Sequence, residues 1–170
     1  MKQINGNLIA LALQGEFDVI AHGANTKNVM GAGIALQIAD QFPEALDADT
    51  ECFRMCRNTD TPMIGKMSVA HHLSVRSGKH ITILNWYTQI YPGGPCPNDD
   101  ADIRLKAIAT CAKNTVEHFV AMKSFQYKRN VKVGLPLIGC GLAGLDETAV
   151  IPILESAFAG TDCTLVRYQP

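Results

Sequence analysis

The sequence has no long apolar run and no excess of charge of one sign. Fifteen basic and sixteen acidic residues leave a formal net charge of −1, so it lacks the broad basic face of proteins that bind bulk nucleic acid. No apolar run approaches the roughly 20 residues that cross a bilayer as a helix. No apolar signal region follows the first residues. We therefore expect a soluble, cytoplasmic protein that has no contact with membranes.

The cysteines lack the spacing of a metal site or of a dense disulfide framework. No C-x-x-C pair or H-x-x-x-H pattern supplies the four ligands of a structural zinc. Cys52 and Cys56 could share one face of a helix, but two further ligands would be needed. We expect reduced, mostly buried thiols, and no metal or other cofactor. The six are Cys52, Cys56, Cys96, Cys111, Cys140 and Cys163.

Strand-like and helix-like segments alternate along the chain. Runs rich in apolar and β-branched residues predict strands at Lys2–Asn5, Phe17–His22, Met67–Leu73, His80–Trp86, Val131–Ile138 and Asp162–Tyr168. Apolar residues at helical spacing predict helices at Leu8–Leu13, Ile34–Phe42, Glu44–Arg57, Ala101–Met122 and Asp146–Phe158. This order predicts one α/β domain over residues 1–170, with a mixed, largely parallel sheet covered on both faces.

One stretch, Lys132–Val150, contains the glycine pattern G-x-G-x-x-G at Gly139, Gly141 and Gly144. The same pattern marks the first loop of dinucleotide-binding Rossmann folds. Those folds need further strand and helix units after the loop to complete the cofactor site. Here only residues 145–170 follow, enough for one helix and one strand. The pattern therefore predicts a phosphate-binding loop but not a Rossmann fold.

A second glycine loop, Gly31-Ala32-Gly33, also lies between a predicted strand and a predicted helix. Backbone N–H groups at a helix N-terminus favour anions, and glycine lets the backbone approach them closely. Two such loops at strand ends could hold a diphosphate between them, although each could instead be only a turn into a helix. Neither loop ends in G-K-[ST], so magnesium-dependent triphosphate hydrolysis is not expected.

Four segments, taken in order, resemble the macro domain, a three-layer α/β/α module that binds ADP-ribose. They are "GNLI" from Gly6, "DVIAHGANTKNVMGAGIALQIADQFPEA" from Asp18, "LPLIGCGLAGLDE" from Leu135 and "TLVRYQP" from Thr164. The resemblance is to the branch of ADP-ribose-1''-phosphate phosphatases and of domains that remove ADP-ribose from protein or nucleic acid. It implies ADP-ribose or a derivative as the partner, with nucleic acid met only as an ADP-ribosylated substrate.

The resemblance also implies a role for particular residues. Asn7, which precedes Leu8 in the base-binding stretch, stands where the family usually has an aspartate, and its amide oxygen could accept a hydrogen bond from the adenine amino group. Asn25 matches the asparagine that holds the distal ribose. Tyr168 matches the aromatic beside adenine, although it could instead be a core tyrosine at the end of a strand. The phosphates would be bound by Gly31, Ala32, Gly33, Ile34, Gly139, Cys140, Gly141, Leu142 and Ala143. Three further side chains could line the distal ribose: Tyr87, Gln89 and Tyr91.

His22 is the main catalytic candidate. It ends a predicted strand shortly before Asn25, where phosphatase-like members have a histidine, and an imidazole can activate water near neutral pH. Other member groups of this branch use a catalytic lysine shortly after the strand that corresponds to His80–Trp86, or an aspartate in the second glycine loop. This chain has no lysine between Lys79 and Lys106, and Ala143 stands at the position of that aspartate. We expect a hydrolase most like an ADP-ribose-1''-phosphate phosphatase, with His22 and Asn25 as catalytic residues, although His22 could instead be a buried histidine that only hydrogen-bonds within the loop. The alternatives are a binding module without turnover, and an enzyme that removes ADP-ribose from protein or nucleic acid.

Overall fold

A computed structural model of the chain describes residues 1–169. Its strands are β1 (Lys2–Gly6), β2 (Val19–Asn25), β3 (Met67–Leu73), β4 (His80–Gln89), β5 (Lys132–Pro136) and β6 (Asp162–Tyr168). Its α-helices are α1 (Leu8–Leu13), α2 (Gly33–Gln41), α3 (Pro43–Asn58), α4 (Ala101–Asn114), α5 (Ala121–Tyr127) and α6 (Glu147–Ala157). Pro170, which ends both the predicted domain and the "TLVRYQP" motif, lies outside the described residues.

The strands form one sheet in the order β1-β6-β5-β2-β4-β3. All neighbouring pairs are parallel except β3 with β4, which confirms the predicted mixed, largely parallel sheet. In the centre, β2 pairs with β5 only at Val19 and Ile20. Beyond that point β2 continues along β4 as far as Asn25, while β5 continues along β6 as far as Pro136. The sheet therefore opens between β2 and β5 towards their carboxyl ends.

Helices cover both faces of the sheet because successive strand residues point to opposite sides. In β2, Val19 and Ala21 join a core with α4 and α6, whereas Ile20 joins the core beneath α1, α2 and α3. In β4, Leu84 and Trp86 lie in the first of these cores and the preceding isoleucines in the second. This arrangement confirms the three-layer α/β/α fold.

The predicted helix Ala101–Met122 is wrong in its continuity and its end. The α4 helix stops at Asn114, a π-helical segment follows at Thr115–Val120, and α5 runs on to Tyr127. The π-helical segment, "TVEHFV", contains three β-branched residues, which are stiff at χ1 and weak helix formers. The chain makes a wider helical turn over this stretch. The apolar spacing alone had predicted a regular α-helix there.

Three sequence-based expectations about thiols, metals and membranes can be compared with the fold. All six cysteines are free, and only Cys111 and Cys163 are fully buried. Over residues 1–169, no three histidine, cysteine, aspartate or glutamate side chains cluster in a way that could hold a metal ion. Within the same range, no helix combines the length and apolar character needed to span a membrane.

We predict that Gly134→Ala destabilises the fold. Gly134 pairs with Ile20 where β5 meets β2, and a Cβ there would lie 2.6 Å from Phe17 Cδ2 and 2.7 Å from Leu8 Cδ1. Overpacking of this kind typically costs about 1–3 kcal/mol. Urea unfolding should show that loss, whereas Gly94→Ala, where a Cβ meets no atom within 4 Å, should change the free energy of unfolding little. Equal stability of the two variants would contradict the packing argument.

Candidate functional site

A cavity of about 790 Å³ lies at the carboxyl ends of the central strands, where β2 and β5 part. Open α/β sheets commonly bind ligands at this edge, and the volume suits a small-molecule site. The structure brings thirteen of the sequence-predicted ligand-binding residues to this one cavity: Asn7, Leu8, Asn25, Gly31, Ala32, Gly33, Ile34, Gly139, Cys140, Gly141, Leu142, Ala143 and Tyr168.

The first glycine loop leads into α2 with its N-terminus open to the cavity. Ala32 is the N-cap, and no side chain caps the helix. The first N–H groups of a helix have no partner within the helix, and Gly33, Ile34 and Ala35 line the cavity. Gly33 has φ of +57°, a conformation that glycine adopts at little cost. This end of the cavity therefore presents backbone donors and the positive end of a helix dipole to an anion.

The second glycine loop, Gly139–Ala143, follows β5 on the other side of the opening. Its base is closed by a hydrogen bond from Leu145 N to Gly139 O (2.8 Å). Gly139 is required there because φ is +79° and a Cβ would lie 2.8 Å from Leu145 Cδ1. Among residues 1–169, no backbone acceptor takes the N–H groups of Gly141, Leu142 and Ala143. These donors are left for a ligand.

The two glycine loops approach each other across the cavity. A Cβ placed on Gly33 would lie 3.7 Å from Leu142 Cδ1, and the Leu142 side chain is 68% exposed. An apolar side chain at this position covers part of the gap between the loops without supplying a competing hydrogen-bonding group. An anion held by both loops would therefore lie in a narrow cleft partly screened from water.

Asn25, at the end of β2, shapes the turn that precedes the first glycine loop. Its Oδ1 accepts from Lys27 N (3.0 Å) and from Val29 N (3.4 Å), and its Nδ2 donates to Val29 O (2.7 Å). The residue is almost fully buried yet lines the cavity. Only the second Nδ2 proton is uncommitted among these bonds, so a direct contact with a ligand would be as a donor.

The opposite end of the cavity contains an exposed aromatic ring and an amide on neighbouring strands. Gly6, which precedes Asn7, pairs with Tyr168 across β1 and β6, and Tyr168 is 63% exposed. The alternative that Tyr168 is a buried core residue is therefore wrong. Nearby, Arg167 also lines the cavity and donates to Glu147 Oε2 (2.8 Å).

Asn7 does not present its amide oxygen to the cavity, in contrast to the expectation from sequence. Oδ1 accepts from Ile9 N (3.0 Å) and Ala10 N (3.1 Å) as the N-cap of α1. Two backbone donors at one atom fix the orientation of the amide, because Nδ2 could not accept them. The amide group left to the cavity is therefore the Nδ2 donor, for which residues 1–169 supply no acceptor.

His22 lies outside the cavity, which corrects its assignment as the group that acts on a bound substrate. It is 0% exposed in the middle of β2. Asn85 donates through Nδ2 to Ala45 O and Ser68 Oγ, so its Oδ1 accepts from His22 Nε2 (2.7 Å). His22 Nδ1 faces the carbonyl oxygen of Gly23 at 3.1 Å. Burial lowers the pKa of His22, so the imidazole is a neutral part of the sheet interior.

The three side chains expected beside the distal ribose separate in the structure. Gln89 lines the cavity. Tyr87 is buried and donates to Asp49 Oδ1 (2.8 Å), and burial raises its pKa. Tyr91 lies on the outer side, with Lys27 Nζ 4.7 Å from its ring centre. The cavity is also lined by Thr88, Pro92 and Gly93, which were not predicted from the sequence. Their position depends on how far β4 extends beyond the point where β2 and β5 separate.

The described residues of the cavity wall include few titratable side chains. Cys140, Arg167 and Tyr168 are the only titratable side chains among the residues that line it, and none is a carboxylate, imidazole or lysine. Burial raises the pKa of Cys140 to about 11, so its thiol is neutral near pH 7. The wall can therefore bind through backbone donors, amides and apolar surface more readily than it can transfer protons.

Comparison with known proteins agrees with this geometry. The family model described as "Macro domain" matches residues 21–154. The chain belongs to the macro domain family.

A phage protein and several solved structures are also similar to the chain. An uncharacterized 17.5 kDa protein of Enterobacteria phage T4 is 27% identical over 172 residues, covering 100% of this chain and 97% of that protein. The macrodomain of Mycobacterium tuberculosis DarG is 25% identical, with a TM-score of 0.68 and coverage of 99% and 97% of the two chains. Thermosipho africanus DarTG, solved in complex with ADP-ribose, is 19% identical with a TM-score of 0.68, and the match covers 99% of this chain and 41% of that one.

Burial of a neutral His22 predicts that its contribution to stability decreases as the pH falls. Its pKa in the folded chain lies below the ordinary value of 6.5, so the unfolded chain takes up a proton that the folded chain excludes. The contribution is complete above about pH 6.5 and is lost as the pH falls towards the lower, folded-state pKa.

This pH dependence can be isolated with His22→Gln, which cannot be protonated. Urea unfolding of both proteins between about pH 5 and pH 7.5 should show the difference in unfolding free energy shrinking as the pH falls. Subtraction of the two curves removes the contributions of groups common to both proteins. A difference that stays constant over this range would contradict the assignment of a buried, neutral imidazole.

Proposed function

We propose that this protein recognises ADP-ribose, free or as a derivative, with the diphosphate bound between the two glycine loops. The observation that carries the proposal is a pair of loops on either side of one cavity, whose backbone N–H groups have no backbone acceptor within residues 1–169. Gly33, Ile34 and Ala35 offer donors at the start of α2, and Gly141–Ala143 offer donors opposite. Membership of the macro domain family and the ADP-ribose complex of Thermosipho africanus DarTG support the choice of ligand.

A diphosphate suits this cleft better than an isolated phosphate does. Donors on two sides can each take oxygens of a different phosphate group, and the helix dipole adds favourable interaction with negative charge. The described wall has no carboxylate that would repel the ligand. Neither loop carries a lysine, so backbone donors provide most of the recognition there.

The rest of the ligand would extend from the diphosphate in two directions. At one end Tyr168 offers an exposed ring against which a base can stack, and Asn7 offers an amide donor to the edge of that base. At the other end Asn25, Thr88 and Gln89 surround the space beside the first glycine loop. We assign the base to the Tyr168 end and the distal ribose to the Asn25 end.

Hydrolysis of the terminal phosphate of ADP-ribose-1''-phosphate is the second candidate function. It is supported by the resemblance of the stretch from Asp18 to Ala45 to the branch of the family that includes these phosphatases. Direct proton transfer by His22 is not part of this proposal, because the imidazole is buried and bonded to Asn85. A hydrolytic step would depend on water positioned by groups such as Thr88 and on phosphate charge stabilised by backbone donors. We therefore place recognition ahead of turnover.

Removal of ADP-ribose from protein or nucleic acid is the third candidate. The described cavity wall contains no lysine or carboxylate to assist it.

One experiment separates the candidate functions. The protein is titrated calorimetrically with ADP-ribose and incubated with ADP-ribose-1''-phosphate and with ADP-ribosylated protein and DNA, while phosphate and ADP-ribose release are followed. Binding without release supports a recognition module, phosphate release supports the phosphatase, and ADP-ribose release supports removal from a carrier. No binding of ADP-ribose or its derivatives would refute the proposal.

Gly141→Val should weaken ADP-ribose binding with little effect on folding. A Cβ at Gly141 meets no protein atom within 4 Å, and its φ lies outside the positive range that strains other residues. The valine methyl groups would occupy ligand space instead, and we expect about a tenfold or greater loss of affinity. Calorimetry measures that loss and thermal unfolding confirms the fold.

Gly33→Val is a less selective variant, because φ at Gly33 is +57° and a side chain there is strained. It should lose stability as well as affinity.

Unchanged ADP-ribose affinity in a folded Gly141→Val protein would show that the diphosphate does not contact the second loop.

Asn7→Asp should strengthen binding of ADP-ribose. A carboxylate can cap α1 with one oxygen and present the other to the cavity, where it would accept from the adenine amino group. We expect an increase in affinity of roughly threefold to tenfold. Purine riboside diphosphate ribose, which lacks the amino group, is the matched ligand control and should gain nothing. Equal gains for both ligands, or none for ADP-ribose, would contradict this placement of the base.

A further inference from the structure

A buried arginine behind the cavity joins two loops that are distant in sequence. Arg104 lies in the first turn of α4, and its side chain is 1% exposed. Its Nη1 donates to Gly93 O (2.7 Å) and to Ala143 O (2.9 Å), and its Nη2 donates to Gly94 O (3.0 Å). One guanidinium therefore holds the loop after β4 and the second glycine loop after β5 at a fixed separation.

The remaining donors of Arg104 bind Asp99. Nε donates to Asp99 O (3.2 Å), and Nη2 donates to Asp99 Oδ2 (2.5 Å). That carboxylate oxygen also accepts from Tyr91 N (3.0 Å). Burial would raise the pKa of Asp99, but the hydrogen bonds from Arg104 and Tyr91 outweigh it and hold the pKa below its usual value. A guanidinium has five N–H donors in a rigid plane, and six oxygens surround this one, because Tyr91 O also lies 3.5 Å from Nη2.

This arrangement turns backbone carbonyl groups away from the cavity. Gly93 and Ala143 line the cavity, whereas Arg104 does not. Their oxygens are directed to the guanidinium behind the wall, so they do not face a bound anion. The two loops also lie close together, since a Cβ on Gly144 would lie 3.2 Å from Pro95 Cδ. A carbonyl oxygen released from Arg104 could turn into the cleft, where it would repel a phosphate.

We infer that Arg104 is a positioning residue for anion binding, which acts through both loops without touching the ligand. The inference rests on the proposed function for the identity of that ligand, ADP-ribose. The inference has one specific consequence, which is that the two loops depend on the same side chain. Loss of the guanidinium should therefore loosen the loop after β4 and the second glycine loop together. A residue that served only to stabilise the fold would lower the stability of the whole domain without this paired local effect.

Arg104→Lys tests the inference because it keeps a charge beside Asp99 but cannot reach all of these oxygens. The readouts are ADP-ribose affinity by calorimetry and amide hydrogen exchange of residues 90–94 and 139–144 without ligand. Arg129→Lys is the control, since Arg129 also makes a two-pronged ion pair, with Asp18 Oδ1 and Oδ2 (2.6 and 2.7 Å), at the start of β2. We expect about a tenfold or greater loss of affinity for Arg104→Lys, faster exchange in both loops, and neither change for Arg129→Lys.

A second variant tests the inference if Arg104→Lys does not fold. Asp99→Asn with Arg104→Gln removes both buried charges together, so that no carboxylate is left unpaired, and it should show the same two effects. ADP-ribose affinity within twofold of the unmodified protein, in whichever variant folds, would overturn the inference. So would faster exchange in only one of the two loops. If the unmodified protein itself does not bind ADP-ribose, the proposed function fails, and unchanged exchange in both loops would then separately overturn the role of Arg104.

Discussion

The short pairing of β2 with β5 is the feature on which the rest of the site depends. Two parallel strands hydrogen-bond at Val19 and Ile20 and then separate, each following a different neighbour. The loops that leave their carboxyl ends are consequently held on opposite sides of one opening, each by its own half of the sheet. A fully paired centre would bring these loops together and leave no room for a ligand between them.

Glycine residues and buried polar contacts fix the shape of the loops on either side of the opening. Gly33 and Gly139, one in each loop, adopt positive φ values that other residues reach only with strain, and Asn25 closes the turn before the first loop. Behind the wall, Arg104 binds carbonyl groups of the loop after β4 and of the second glycine loop. The site is therefore built mainly from backbone, and its electrostatic character comes from oriented peptide groups rather than from charged side chains.

Much of this architecture could be predicted because it follows from local patterns. The alternation of strands and helices indicated the layered fold, and glycine between a strand and a helix indicated both loops. The roles of Asn7 and His22 could not be obtained in the same way. The amide of Asn7 is oriented by its own helix N-cap, and His22 is bonded to Asn85 on the adjacent strand. Motif resemblance gave the position of each residue but not the direction of its polar atoms, and Arg104 carried no motif at all.

The most direct test of the central claim is a backbone amide NMR titration of the protein with ADP-ribose. The account predicts that the amide resonances of residues 31–35 and 139–143 shift together and saturate at the same ligand concentration, because one diphosphate contacts both loops. Saturable shifts confined to one loop, or located away from the opening between β2 and β5, would contradict it.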